Sequence, residues 1–219
     1  EKLPVMEYLL DLEIMQYITE NLLERKWVGP SYNKEEQKCF LDNIIQIYYS
    51  LGYDCINLLH WYMMTGAGFV FSQSNAEDSS NPNIKNRKWD KGQAMNTIND
   101  WDDFEKYPWP KPENLDLWSY EYVANHLPEG MGFTISATPG FFGAVRRMLG
   151  FENMSYLICD EPELLDAIFK KAGNIIYSTY SKFIGMPNLV GFFHADDMGL
   201  KTSTMMSPDL LRKYVLSQQ

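Results

Sequence analysis

Apolar residues recur at spacings of three and four near the start of the chain. Val5, Leu9, Leu12, Met15, Ile18 and Leu22 predict a helix over residues 4–28, stopped by Trp27-Val28-Gly29-Pro30. A second helix is predicted over 35–51, burying Phe40, Ile44, Ile47 and Tyr48, with Gly52 closing it in a left-handed conformation. The period then changes. The apolar run from Cys55 to Tyr62 reads as a buried strand, and residues 114–126 as a helix. In the strand predicted over 132–138, Phe133, Ile135 and Ala137 alternate with Thr134, Ser136 and Thr138. A helix over 141–149 follows, then a long one opened by Asp160-Glu-Pro-Glu163 as an acidic capping box. Its core stripe runs Leu164, Leu165, Ile168, Phe169, Ala172, Ile175, Ile176, Thr179, Phe183. The pattern closes with a strand over 189–195 and a helix capped by Ser207 with Pro208 at its first position.

Strands alternating with helices are the order of parallel βαβ units, so the expected fold class is α/β, of the (β/α)8 TIM-barrel family. Residues 1–50 are expected to form an N-terminal helical extension, and residues 51–219 the barrel part. An irregular excursion at about 64–112 interrupts it, with the polar tract SQSNAEDSSNPNIKNRK and the Pro-Trp-Pro of EKYPWPKPE. An eight-stranded barrel takes about 250 residues. With three clear strands in 219 residues and an end in mid-helix, the expectation is an incomplete barrel lacking its C-terminal part.

Composition narrows the function classes. The net charge of −10 excludes nucleic acid as the main partner, because phosphate binding needs a basic stripe. No apolar run approaches the roughly 18 residues that span a bilayer, and the first residues lack a signal-peptide layout, so no membrane partner is expected. Cys39, Cys55 and Cys159 are odd in number and widely spaced, which suits a reducing cytoplasm better than a disulfide framework.

The candidate chemistry gathers in LVGFFHADDMGLKTSTMMSPDLLR, residues 189–212. Strand alternation puts Val190, Phe192, His194 and Asp196 on one side, expected to be the barrel interior near its C-terminal mouth. Asp196 and Asp197 can orient a base, bind a cation or accept substrate hydrogen bonds; alternatively they cap backbone NH groups of their own loop. His194 is the matching acid or base. His60, at the end of the first predicted strand, is either a substrate ligand or a satisfied core histidine. Arg146 can reach an anionic substrate or stand exposed or ion-paired. Trp109 can wall a pocket or fasten the long loop. Motifs for serine hydrolases, phosphate-binding loops and zincins are absent.

Several stretches together resemble the uroporphyrinogen decarboxylase superfamily, which includes corrinoid-linked methyltransferases. They are Leu51-Gly-Tyr-Asp54, Asp103-Phe-Glu-Lys-Tyr-Pro-Trp-Pro110, Gly140 with Met148-Leu-Gly-Phe-Glu152, Asp160-Glu-Pro-Glu-Leu164, Asp196-Asp-Met-Gly199 and Ser207-Pro-Asp-Leu-Leu-Arg-Lys-Tyr214. The resemblance implies a (β/α)8 barrel with its pocket at the C-terminal ends of the strands. It also implies an arginine-rich N-terminal segment in true decarboxylases, where this chain has the arginine-free PVMEYLLDLEIMQYI. A polyanionic porphyrinogen is therefore disfavoured. The expectation is a methyltransferase-like enzyme acting on a small methylated compound, or on a methyl-corrinoid carried by a partner protein. Decarboxylation and a non-catalytic fragment or binding module are the alternatives. No cofactor is expected within this chain; in the resembled methyltransferases zinc is held by a His-x-Cys and a distant Cys in the C-terminal half. An open half-barrel would also pair its edges in a homo-oligomer.

Overall fold

A computed structural model describes residues 3–60, 63–64, 68–69, 74–75, 88–89, 98–136 and 140–218. The chain is mixed α/β. Its strands are β1 (Met6–Glu7), β2 (Cys55–Leu59), β3 (Ser74–Asn75), β4 (Lys88–Trp89), β5 (Gly132–Ser136) and β6 (Leu189–Phe192). Its helices are α1 (Leu12–Asn21), α2 (Lys34–Ser50), α3 (Trp101–Lys106), α4 (Trp118–His126), α5 (Phe141–Leu149), α6 (Phe151–Asp160), α7 (Pro162–Ser181) and α8 (Pro208–Tyr214). Two compact units share the chain: Glu1–Ala67, Pro112–Thr138 and Ser178–Ala195 form the first, and Gly68–Lys111, Pro139–Tyr177 and Asp196–Gln219 the second.

The first unit holds a four-stranded parallel sheet in the order β1-β2-β5-β6. The strand predicted from Cys55 is there, and all five of its residues are buried. One face of the sheet meets helices: Ile56, Leu58, Phe133 and Ile135 pack with Phe40, Ile44, Ile47 and Tyr48 of α2 and with Tyr120 and Val123 of α4. α2 is fixed at both ends. Asn33 accepts from the Glu35 and Glu36 NH groups, and Tyr53 and Gly52 donate back to the Tyr48 and Tyr49 carbonyls. Gly52 sits at φ 80°, where a side chain would be strained.

Several expectations fail at helix ends. The helix expected over 4–28 spans only 12–21: residues 22–28 have left it, with Glu24 at φ 51°, and residues 4–11 are not helical, for Val5 and Asp54 exchange hydrogen bonds and Met6–Glu7 run parallel to β2. Pairing with a neighbouring strand outweighs a weak local period. Asp160 does not open the long helix. It is the last residue of α6, which Gly150 (φ 71°) separates from α5, and α7 starts at Pro162.

Among its described residues the second unit is helical apart from the short antiparallel pair β3–β4 and an isolated bridge between Gly199 and Thr204. The predicted stripe of α7 is buried in full, and Phe169 packs its ring on Phe141 of α5 and Tyr214 of α8. Ser207 caps α8 as expected, accepting from Leu210 NH. The polar tract at 72–88 and the loop 137–139 lie outside the described residues, apart from the backbone of the short strands.

Candidate functional site

The face of the sheet away from the helices carries the first unit's polar chemistry. Parity places Met6 of β1, Cys55, Asn57 and Leu59 of β2, and Thr134 and Ser136 of β5 there. Asn57 is the hub. Its amide donates to the Tyr8 carbonyl (3.0 Å), and its Oδ1 faces the hydroxyls of Thr134 (2.9 Å) and Ser136 (3.2 Å). Ser136 has one proton to donate, and the Phe193 carbonyl lies closer, at 2.8 Å. Thr134 therefore serves Asn57, while Ser136 ties β5 to the chain leaving β6. Burial pushes the Cys55 thiol above its ordinary value, which favours the neutral form.

Side chains leaving the two outer strands converge over this face: the rings of Tyr8, just past β1, and Phe193, just past β6, are 4.7 Å apart. The Thr134 hydroxyl likewise reaches the Met6 sulfur across β2, at 3.6 Å. Tyr8 and Phe193 both stand at the C-terminal ends of their strands, over the Asn57–Ser136 layer. Desolvation raises the Tyr8 phenol above its usual range.

His194 does not share that face. Pairing runs Phe133↔Leu189 and then Thr134↔Gly191, so Val190 is an extra residue, a β-bulge. One inserted residue reverses the parity of everything after it. Phe192 and His194 accordingly turn to the helix side, with rings 5.0 and 6.1 Å from that of Tyr180 on α7. Phe193 takes the inner position. His60 follows β2, and its NH donates to the Ser136 carbonyl.

The other candidates belong to the second unit. Asp196 bonds the NH groups of Phe142 (2.6 Å) and Gly143 (2.8 Å), one carboxylate oxygen to each. α5 has Gly140 at its N-cap and no local side-chain cap, so a carboxylate more than fifty residues away supplies one. Asp197 instead accepts from Gly199 NH at 3.3 Å, within its own loop. Arg146, half-buried on α5, has a buried Nε with no hydrogen-bond partner among the described residues. Trp109 takes the fastening role, donating to the Phe104 carbonyl and packing edge-on against Phe104 and Tyr107.

Tyr8, Asn57 and Phe193 were not singled out from the sequence. Asn57 left a trace, as the lone polar residue within CINLL; Tyr8 and Phe193 left none, because their meeting depends on which strands the sheet places side by side. Among the described residues, no three His, Cys, Asp or Glu side chains gather to hold a metal ion. None of the described helices is long and apolar enough to cross a membrane. No protein-family model matches the chain, and no curated protein or solved structure is significantly similar to it.

Proposed function

We propose that the chain is a methyltransferase-like member of the uroporphyrinogen decarboxylase superfamily, built on a (β/α) barrel, and acts on a small methylated compound or on a methyl-corrinoid carried by a partner protein. The observation that carries this reading is the sheet. Four parallel strands add in chain order on one side, with helices packed on one face and Tyr8 and Phe193 meeting over the other. A singly wound parallel sheet is how a barrel is laid down, and barrel sites lie at the C-terminal ends of the strands. A doubly wound sheet would instead reverse its strand order partway.

Within this reading Asp197 is the carboxylate that meets substrate, since among the described residues one long hydrogen bond engages it. Asp196 acts as a positioning residue: it holds the start of α5, the helix that carries Arg146. His60, just past the end of β2, is the acid–base candidate that remains, since His194 turns towards Tyr180 on the helix side. Zinc and a corrinoid enter as contributions from beyond the described residues, and no step is assigned to them. The uncharged inner face and the arginine-free segment at 4–18 both disfavour a porphyrinogen.

The test is methyl transfer. The chain is incubated with free cob(I)alamin and a panel of methoxylated compounds and methylamines, and methylcobalamin is followed by absorbance. Formation with one of them, lost in Asp197→Ala, is the expected result. Inertness towards the whole panel overturns the reading, as does conversion of uroporphyrinogen to coproporphyrinogen.

A further inference from the structure

We propose that the cleft between the starts of α2 and α4 is a binding site for a small zwitterion of the amino-acid type, with one carboxylate and one ammonium group. No residue of this cleft has a part in the methyl transfer proposed above, so the two stand or fall separately. The cleft has a volume of about 60 Å³ and is lined by Ser31, Lys34, Gln37, Asp116, Trp118 and Ser119. Because β1, β2 and β5 run parallel, the helices between them return antiparallel and start at the carboxyl ends of the strands. Met64, beyond β2, lines the same cleft. Ligands of parallel α/β sheets gather at that end.

Ser119 points to an occupant. It is 5% exposed, yet neither its hydroxyl nor its NH finds a hydrogen-bond partner among the described residues. A serine so buried normally has its hydroxyl bonded, and the NH at the second position of a helix has no partner within that helix. Both donors are open to an acceptor in the cleft, and the helix dipole favours an anionic one. The Lys34 ammonium adds a cation at the rim, 5.3 Å from the Trp118 ring centroid. A carboxylate meets all three donors.

Acidic groups define the other half of the ligand. Asp116 uses Oδ1 to accept from the Trp118 NH at 2.9 Å, which leaves Oδ2 for an ammonium. Lys34 and Asp116 share the cleft without pairing with each other. Glu36 accepts from the Ser31 hydroxyl at the edge of the cleft, and Gln37 holds the Ser31 NH, which fixes that wall. With Asp116, Glu35 and Glu36 against one lysine, a multiply charged anion such as phosphate is disfavoured.

Amide shifts at the start of α4 read the site in nitrogen–proton correlation spectra of the whole chain, titrated with glycine, acetate, methylammonium and inorganic phosphate. Glycine is expected to bind at least about tenfold tighter than acetate or methylammonium, since each of these fills one half of the site. Ser119→Ala, which removes only the hydroxyl, should weaken glycine about tenfold. Lys34→Gln should weaken glycine and acetate but not methylammonium, and Asp116→Asn should weaken glycine and methylammonium but not acetate. Lys34 and Asp116 are exposed, so both variants should fold, and Lys38→Gln, one turn further along α2, should change nothing. Phosphate binding tighter than glycine overturns the proposal. So does glycine binding that is indifferent to Ser119→Ala and Lys34→Gln, or the absence of any glycine-induced shift at the start of α4.

Discussion

Asn57 in the first unit and Asp196 in the second do the same work with different chemistry. Each is a single side chain that joins segments remote in sequence: Asn57 links β1 to β5, and Asp196 caps α5 from more than fifty residues away. Asn57 is fully buried, and a neutral amide suits that place because an unpaired charge there would be costly. Asp196 is half-buried at a helix N-terminus, where the dipole and two exposed NH groups favour an anion. Burial decides which polar group can serve as a fastener. The same difference sorts the candidate sites: the inner sheet face is neutral, and the charged candidates Asp196, Asp197 and Arg146 lie in the other unit.

The comparison can be broken most sharply at Asn57. Asn57→Ala leaves the Tyr8 carbonyl and the Thr134 hydroxyl without their buried partner, and should cost about 3 kcal/mol in urea unfolding. A loss below about 1 kcal/mol would mean that the network contributes little beyond its neighbours' packing. Cys55 lies on the same face at 8% exposure, whereas Cys39 and Cys159 are exposed. Its raised pKa means less thiolate at any given pH, so its labelling is delayed on both grounds. At pH 8 iodoacetamide should modify Cys39 and Cys159 at least about tenfold faster than Cys55, read by peptide mass spectrometry. Equal rates would show that this face opens readily.

Asp196→Ala should cost about 1 kcal/mol by removing the remote cap of α5, and Asp196→Asn, which keeps an acceptor, should cost less. If both cost nothing, the contact is incidental. The smallest effect is expected at an exposed carboxylate. Hydrogen bonds from the Asn99 side chain and backbone NH hold Asp103 below the usual carboxylate range. Its folded pKa is depressed, so its contribution to stability is present above about pH 4 and fades as pH falls through the folded value. Asn99→Ala should move the Asp103 titration upward in carbon-detected NMR; an unchanged midpoint would contradict the assignment.

Much of the fold was legible in the residues. The α2 face, the α7 stripe, the buried β2 and the Ser207-Pro208 start of α8 all follow from period, capping and glycine chemistry that act over a few residues. The site was legible in part. Asp196 and Asp197 stood out because acids at a strand end are conspicuous, and Trp109 because of its aromatic neighbours. The orientation of His194 was misread: alternation assumes an unbroken ladder, and the bulge at Val190 is set by pairing with β5. The helical period across residues 4–11 misled for a similar reason, since a two-residue strand forms only beside β2.

By itself, then, the sequence determined the buried faces of α2 and α7, the buried strand β2 and the Ser207-Pro208 start of α8, because those choices are made by neighbours a few positions apart. Only the tertiary structure decided that Tyr8 meets Phe193, that Asn57 joins two strands and that Asp196 caps a distant helix. Those contacts depend on strand order, register and chain crossings, which no local pattern encodes.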